Sequence, residues 1–83
     1  MAWNVYHYFD VVGNKEEGWF VGGESLGKHS LLLPENATVE DILKQLEQIG
    51  FRADIIYLKQ NKSTIELYLK ENDMPIGRLE RKN

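Results

Sequence analysis

One amphipathic stretch constrains this chain more than any other feature, because its start, its face and its stop agree. Val39, Ile42, Leu43, Leu46 and Ile49 recur at spacings of three and four residues, which puts them on one stripe of an α-helix. Thr38 stands just before the series, where a hydroxyl satisfies an amide of the first turn. Glu40 and Asp41 complement the positive end of the helix dipole, and Gly50 follows where a left-handed residue ends a helix. The spacing predicts a helix from Thr38 to about Ile49, with Glu40, Lys44, Gln45, Glu47 and Gln48 on its solvated side. Nothing else in the chain has this period, so the remaining elements are strands that this helix must cover.

The strand signals lie on both sides of it. From Trp3 to Val12 the pattern alternates, with Trp3, Val5, Phe9 and Val11 on one face and Asn4, Tyr6, Tyr8 and Asp10 on the other. Gly13 to Gly18 turns the chain into a second strand at Trp19-Phe20-Val21, so the first two strands are expected to form a hairpin. A third short strand, His29 to Leu33, stops at Pro34. After the helix come Ile55 to Leu58, a tight turn at Asn61-Lys62, and Thr64 to Lys70, in which Ile65, Leu67 and Leu69 alternate with Glu66, Tyr68 and Lys70. Pro75 predicts an edge position for the last strand, Ile76 to Arg81. The expected fold is a single α+β domain over residues 1–83. Its sheet is antiparallel or mixed, with five to six strands in two hairpin-rich halves and the helix packed across one face, in the order β-β-(β)-α-β-β-β.

Folding 83 residues buries only about 60–65% of the surface of the unfolded chain, which allows one modest core. Cysteine is absent, so no disulfide or thiolate site supplements that core, and stability is expected to come from packing, including a homodimer interface. The first residues lack the pattern of a secretory signal, and no apolar run has the length of a membrane span, so the expected location is cytoplasmic with no membrane partner. The net charge of −3 opposes simple polyanion binding, but it is unevenly spread. Residues 1–50 carry eight acids against three bases, a balance of −5, and residues 51–83 carry five acids against seven bases, a balance of +2.

Few residues point to chemistry. Gly22, Gly27 and Lys28 have the spacing of a phosphate-binding loop, but His29 replaces the hydroxyl that magnesium needs, and an apolar strand follows in place of a helix. His7 and His29 are the only imidazoles, and neither has an acid at ligand spacing, so no metal, no cofactor and no Ser-His-Asp catalysis is expected. The reading is a protein that is not an enzyme. Tyr6, Tyr8 and Tyr68 occupy strand faces opposite the apolar residues. There they either cover the second side of the sheet or serve as rigid recognition anchors with a polar tip. Tyr57 and Tyr68, with Lys59, Lys62, Lys70, Arg78 and Arg81 near them in sequence, have the ingredients of a stacking platform for single-stranded nucleic acid.

Two resemblances arise from these segments. Leu33-Pro34-Glu35-Asn36-Ala37-Thr38-Val39-Glu40-Asp41-Ile42-Leu43 resembles the strand-to-helix passage of ubiquitin-like β-grasp sulfur carriers. Those carriers end in a reactive Gly-Gly tail, whereas this sequence ends in Arg81-Lys82-Asn83, so carrier function does not transfer. Asn4 to Asp10, Glu17 to Val21, Ala37 to Ile42 and Met74 to Leu79 are together similar to small uncharacterised proteins encoded by bacteriophages and prophages. That likeness implies a short accessory protein that binds and modulates a host or phage macromolecule, most simply another protein. The alternatives left open are a nucleic-acid-binding accessory protein that uses the basic C-terminal hairpin, with Arg78 and Arg81, and a small-molecule-binding domain.

Overall fold

A computed structural model describes residues 2–24 and 27–82, without the side chain of Glu24. Among the described residues seven strands and one helix follow one another as β1 (Ala2–His7), β2 (Phe9–Asn14), β3 (Gly18–Glu24), β4 (Lys28–Leu32), α1 (Val39–Gln48), β5 (Ile56–Gln60), β6 (Thr64–Leu69) and β7 (Pro75–Arg81). Five of the strands form one antiparallel sheet in the order β4-β1-β7-β6-β5, and β2 and β3 form a separate ribbon. The α+β class, the antiparallel sheet and the single helix are those expected from the sequence.

The helix is held at both ends by its own sequence. Thr38 Oγ1 accepts from the Asp41 amide at 3.2 Å while the Thr38 amide donates to Asp41 Oδ2 at 3.1 Å, a reciprocal box that satisfies two amides. At the other end Gly50 has φ 107°, which lets its amide reach the Glu47 carbonyl at 3.3 Å and the Phe51 amide reach that of Leu46 at 3.0 Å. This turn delivers Phe51 into the core. Ile42 and Leu46 are buried and Leu43 and Ile49 half-buried, as the stripe predicts. Val39, the first helical residue, is an exception at 58% exposed.

The core lies between α1 and the sheet face made by Trp3, Val5, Leu31, Ile56, Ile65, Leu67, Leu69, Ile76 and Leu79. Phe51 needs a gap in that face, and Gly77 provides it. A methyl group at Gly77 would lie 2.6 Å from the Tyr6 carbonyl oxygen and 3.0 Å from the Phe51 ring. His7, paired in register with Gly77, packs on the same ring at a centroid distance of 4.2 Å.

Three expectations are corrected here. The run from Trp3 to Val12 is two strands, interrupted at Tyr8: β1 joins the large sheet, and only β2 pairs with β3. The hydrophobic period continues through the break, since Val11 also packs on the core, so alternation could not reveal it. The strand from Pro75 is interior, between β1 and β6, not an edge. Proline is tolerated because it is the first residue of β7 and lies at a bulge, where the pairing steps from Leu67↔Gly77 to Tyr68↔Pro75. The bulge also turns both Ile76 and Gly77 to the core, which leaves Arg78 on the opposite face. Finally, seven strands form where five to six were expected.

Candidate functional site

The helix covers one face of the sheet, and the other carries the polar half of each alternating strand. Three cross-strand rows can be read from the register. The first holds Ser30, Asn4, Glu80 and Thr64; the second holds Lys28, Tyr6, Arg78, Glu66 and Lys59; the third brings Tyr68 beside Pro75 and Tyr57 beside Tyr68. Rows two residues apart lie about 7 Å from each other, and the five strands span about 19 Å. Tyr8, whose amide donates to the Ile76 carbonyl at 2.9 Å, extends the third row past the end of β1. Parity places Glu66 and Tyr68, whose neighbours along β6 are core residues, and Tyr6, which follows the buried Val5, whereas the side of Arg78 is set by the bulge at Pro75.

The tyrosines and cations interleave. The Arg78 guanidinium sits 4.4 Å from the Tyr6 ring centroid and 5.5 Å from that of Tyr8, and its Nη1 donates to the Tyr8 hydroxyl at 2.6 Å. Its Nε donates to Glu80 Oε1 at 2.7 Å. The Tyr8 hydrogen bond, followed by that to Glu80, raises the pKa of Arg78 above its ordinary value. Lys28 Nζ lies 5.7 Å from the Tyr6 centroid on the far side of β1, and Lys59 Nζ lies 4.9 Å from that of Tyr68. Tyr57 and Tyr68 are stacked at 5.3 Å with a 16° tilt. The Tyr57 hydroxyl donates to Asp73 Oδ1 at 2.5 Å, and this bond pushes its pKa up to about 12. Asp73 is placed for this by a tight turn in which its own φ is 55°. Lys82 Nζ donates to Ser30 Oγ at 2.8 Å at the first row.

Four cations, Lys28, Lys59, Arg78 and Lys82, therefore stand on this face against three carboxylates, Glu66, Glu80 and Asp73, a local balance of +1 on a chain whose total is −3. The structure puts Tyr6, Tyr8, Tyr68 and Arg78 on one face of the sheet, with Arg78 in contact with Tyr6 and Tyr8. It separates Arg81 from them: three positions beyond Arg78 on a strand is the opposite face, and Arg81 pairs in register with the buried Trp3. The basic C-terminal hairpin is thus not one surface. Lys28 joins the face from a strand distant in sequence. Only the pairing of β4 with β1 brings it beside Tyr6.

Other features lie elsewhere. One open hollow of about 700 Å³ is lined by Glu47, Gly50, Phe51, Arg52, Ala53 and Asp54 at the end of the helix. Another of about 390 Å³ has Trp19, Ile55 and Leu69 among its walls, with Lys15 and Lys70 on its rim. In the glycine-rich segment read as a near-miss phosphate loop, Gly22 and Gly23 end β3 and Lys28 begins β4, while Ser25 and Leu26 lie outside the described residues. Among the described residues no three His, Asp or Glu side chains converge as metal ligands. No helix among them is long and apolar enough to cross a membrane. What the fold and this surface define is a small α+β domain with one covered and one open sheet face. No protein-family model, curated protein or solved structure matches the chain.

Proposed function

We propose that this chain is a non-enzymatic interaction protein, the accessory class to which its likeness to phage-encoded proteins points, and that it engages an anionic macromolecule through the open sheet face. The observation that carries the reading is the segregation of charge: the face has a surplus of cations among four tyrosines while the rest of the chain is acidic. Such a surface attracts a polyanion to one side and turns the acidic helix side away from it. Tyrosines add rigid contact area at low entropic cost.

The test is retention on a sulfated polysaccharide matrix at low salt. The wild type is expected to bind despite its net negative charge. Lys59→Glu is expected to abolish retention, while Lys44→Glu on the helix, an identical change in total charge, leaves it unchanged. Wild-type flow-through, or equal losses for the two variants, would sink the proposal.

A second reading is favoured by the edge strand β4, whose Leu32 is 75% exposed beside an unpaired backbone edge. On this reading two copies pair through β4 into a homodimer. Light scattering that gives a dimer for the wild type and a monomer for Leu32→Lys supports it, and a monomeric wild type removes it.

A further inference from the structure

We infer that the anion held on the open face is single-stranded nucleic acid, with bases stacking on Tyr57, Tyr68 and Tyr6 and phosphates met by Lys28, Lys59 and Arg78. This deepens the preceding proposal and rests on it. The argument begins with the order of the rows. A row of tyrosines runs beside a row in which cations alternate with Tyr6 and Glu66, about 7 Å away. The sulfates of a polysaccharide or the carboxylates of an acidic peptide are met by the cations of the second row and do not call for a row of stacked rings beside it. A single strand has flat bases on one side of its backbone and charges along it, and so uses both.

The details of the tyrosine row fit stacking. Tyr57 is on the edge strand β5 and stacks on Tyr68 with its inner side, so its other ring face looks out past the edge of the sheet. The hydrogen bond to Asp73 fixes this ring, and a preset ring loses little freedom when a base docks. Lys59 and Lys28 are exposed and touch their rings loosely, at 4.9 and 5.7 Å. A base can take the ring face while the ammonium swings to the adjoining phosphate, because an exposed cation–π contact is weaker than a base–tyrosine stack. Arg78 is tied to Tyr8 and Glu80 and stays as a fixed charge between the rows. Duplexes are disfavoured on the same grounds. Their bases are already stacked and paired, and a face about 19 Å across is wider than the major groove of about 12 Å.

The experiment is fluorescence anisotropy with a labelled mixed-sequence single strand, the same sequence as a duplex, and a sulfated polysaccharide fragment as competitor. Single strand is expected to bind at least about tenfold more tightly than duplex. With at most four cations engaged, log K should fall against log salt with a slope no steeper than about 3. Tyr57→Leu and Tyr68→Leu should each weaken binding about tenfold, and Tyr68→Phe should leave it near wild type, because the ring and not the hydroxyl stacks. Lys28→Gln with Lys59→Gln should lower the slope by about 1.4. Should a Leu variant fail to fold, upfield ring-current shifts of tyrosine protons in the wild-type complex read the same contact. Equal affinity for duplex and single strand, an undiminished Leu variant, or unshifted tyrosine protons overturns the inference. If the polysaccharide still binds this face, the anion-binding reading survives; if no polyanion binds it, both fall together.

Discussion

Gly77→Ala tests the packing that supports the open face. The added methyl meets the Tyr6 carbonyl oxygen at 2.6 Å and two Phe51 ring carbons at 3.0 and 3.1 Å. The Phe51 ring can tilt a few tenths of an ångström, but the carbonyl belongs to β1, which is paired on both sides by β4 and β7 and cannot withdraw without opening a ladder. Overpacking of this kind costs about 1–3 kcal/mol, and backbone opposition puts the value near 2–3 kcal/mol. Removing a glycine also stiffens the unfolded chain, which offsets about 0.4–1 kcal/mol. The strain wins, with a net loss of about 2 kcal/mol and a fall in Tm on the order of 10 °C for a domain of this size. Urea unfolding followed by tryptophan fluorescence, with buried Trp3 as reporter, should show a lower midpoint at an unchanged slope. Gly22→Ala is the matched control, since its methyl would meet only Val12 Cγ2 at 3.7 Å. A Gly77→Ala protein within about 0.5 kcal/mol of wild type would refute the placement of Phe51 against β7.

Other outcomes follow from the same structure. Leu46→Ala, at a fully buried helix position, should cost about 2–5 kcal/mol in the same urea assay, and Thr38→Ala, which opens the capping box, about 1 kcal/mol. Tyr57, held at about 12 by Asp73, should give an ionisation step near that pH in a spectrophotometric titration, and Asp73→Asn should bring that step down. Because its folded pKa lies above the unfolded value of 10.0, the stabilisation it supplies is whole below pH 10.0 and is lost as the pH rises towards 12. His7 behaves in the opposite sense. Burial lowers its pKa below 6.5, so the unfolded chain takes up the proton first, and stability is intact above pH 6.5 and declines as the pH falls beneath it. His7→Phe should flatten that decline in urea midpoints measured between roughly pH 8 and pH 5.

The helix was legible in the sequence because every signal it needs lies within thirteen residues, from Thr38 to Gly50, and is read locally. The individual strands were legible for the same reason: alternation is a nearest-neighbour property. What escaped were the features decided by distant partners. The break at Tyr8 keeps the hydrophobic period, and only the pairing of β1 with β4 and β7 shows that two sheets share one apolar run. The interior place of β7 was hidden by Pro75, because a bulge absorbs the missing amide and a bulge leaves no period of its own. For the face, parity within each strand is enough to put Tyr6, Tyr8 and Tyr68 opposite the apolar residues, whereas the side of Arg78 depends on the bulge at Pro75. The grouping of Arg81 with Arg78 ignored that same parity, and the partnership of Lys28 with Tyr6 needed strand order.

The central claim is that the open sheet face is the binding surface, and a residue-resolved map of NMR shifts tests it most directly. Amide and ring-proton shifts of the labelled protein would be followed during titration with a single-stranded oligonucleotide at low salt. The account predicts changes confined to Tyr6, Lys28, Tyr57, Lys59, Glu66, Tyr68 and Arg78, with Glu40, Lys44 and Glu47 on the helix unmoved. Shifts that gather on the helix or in the hollow around Arg52, or a spectrum that does not change, would contradict it.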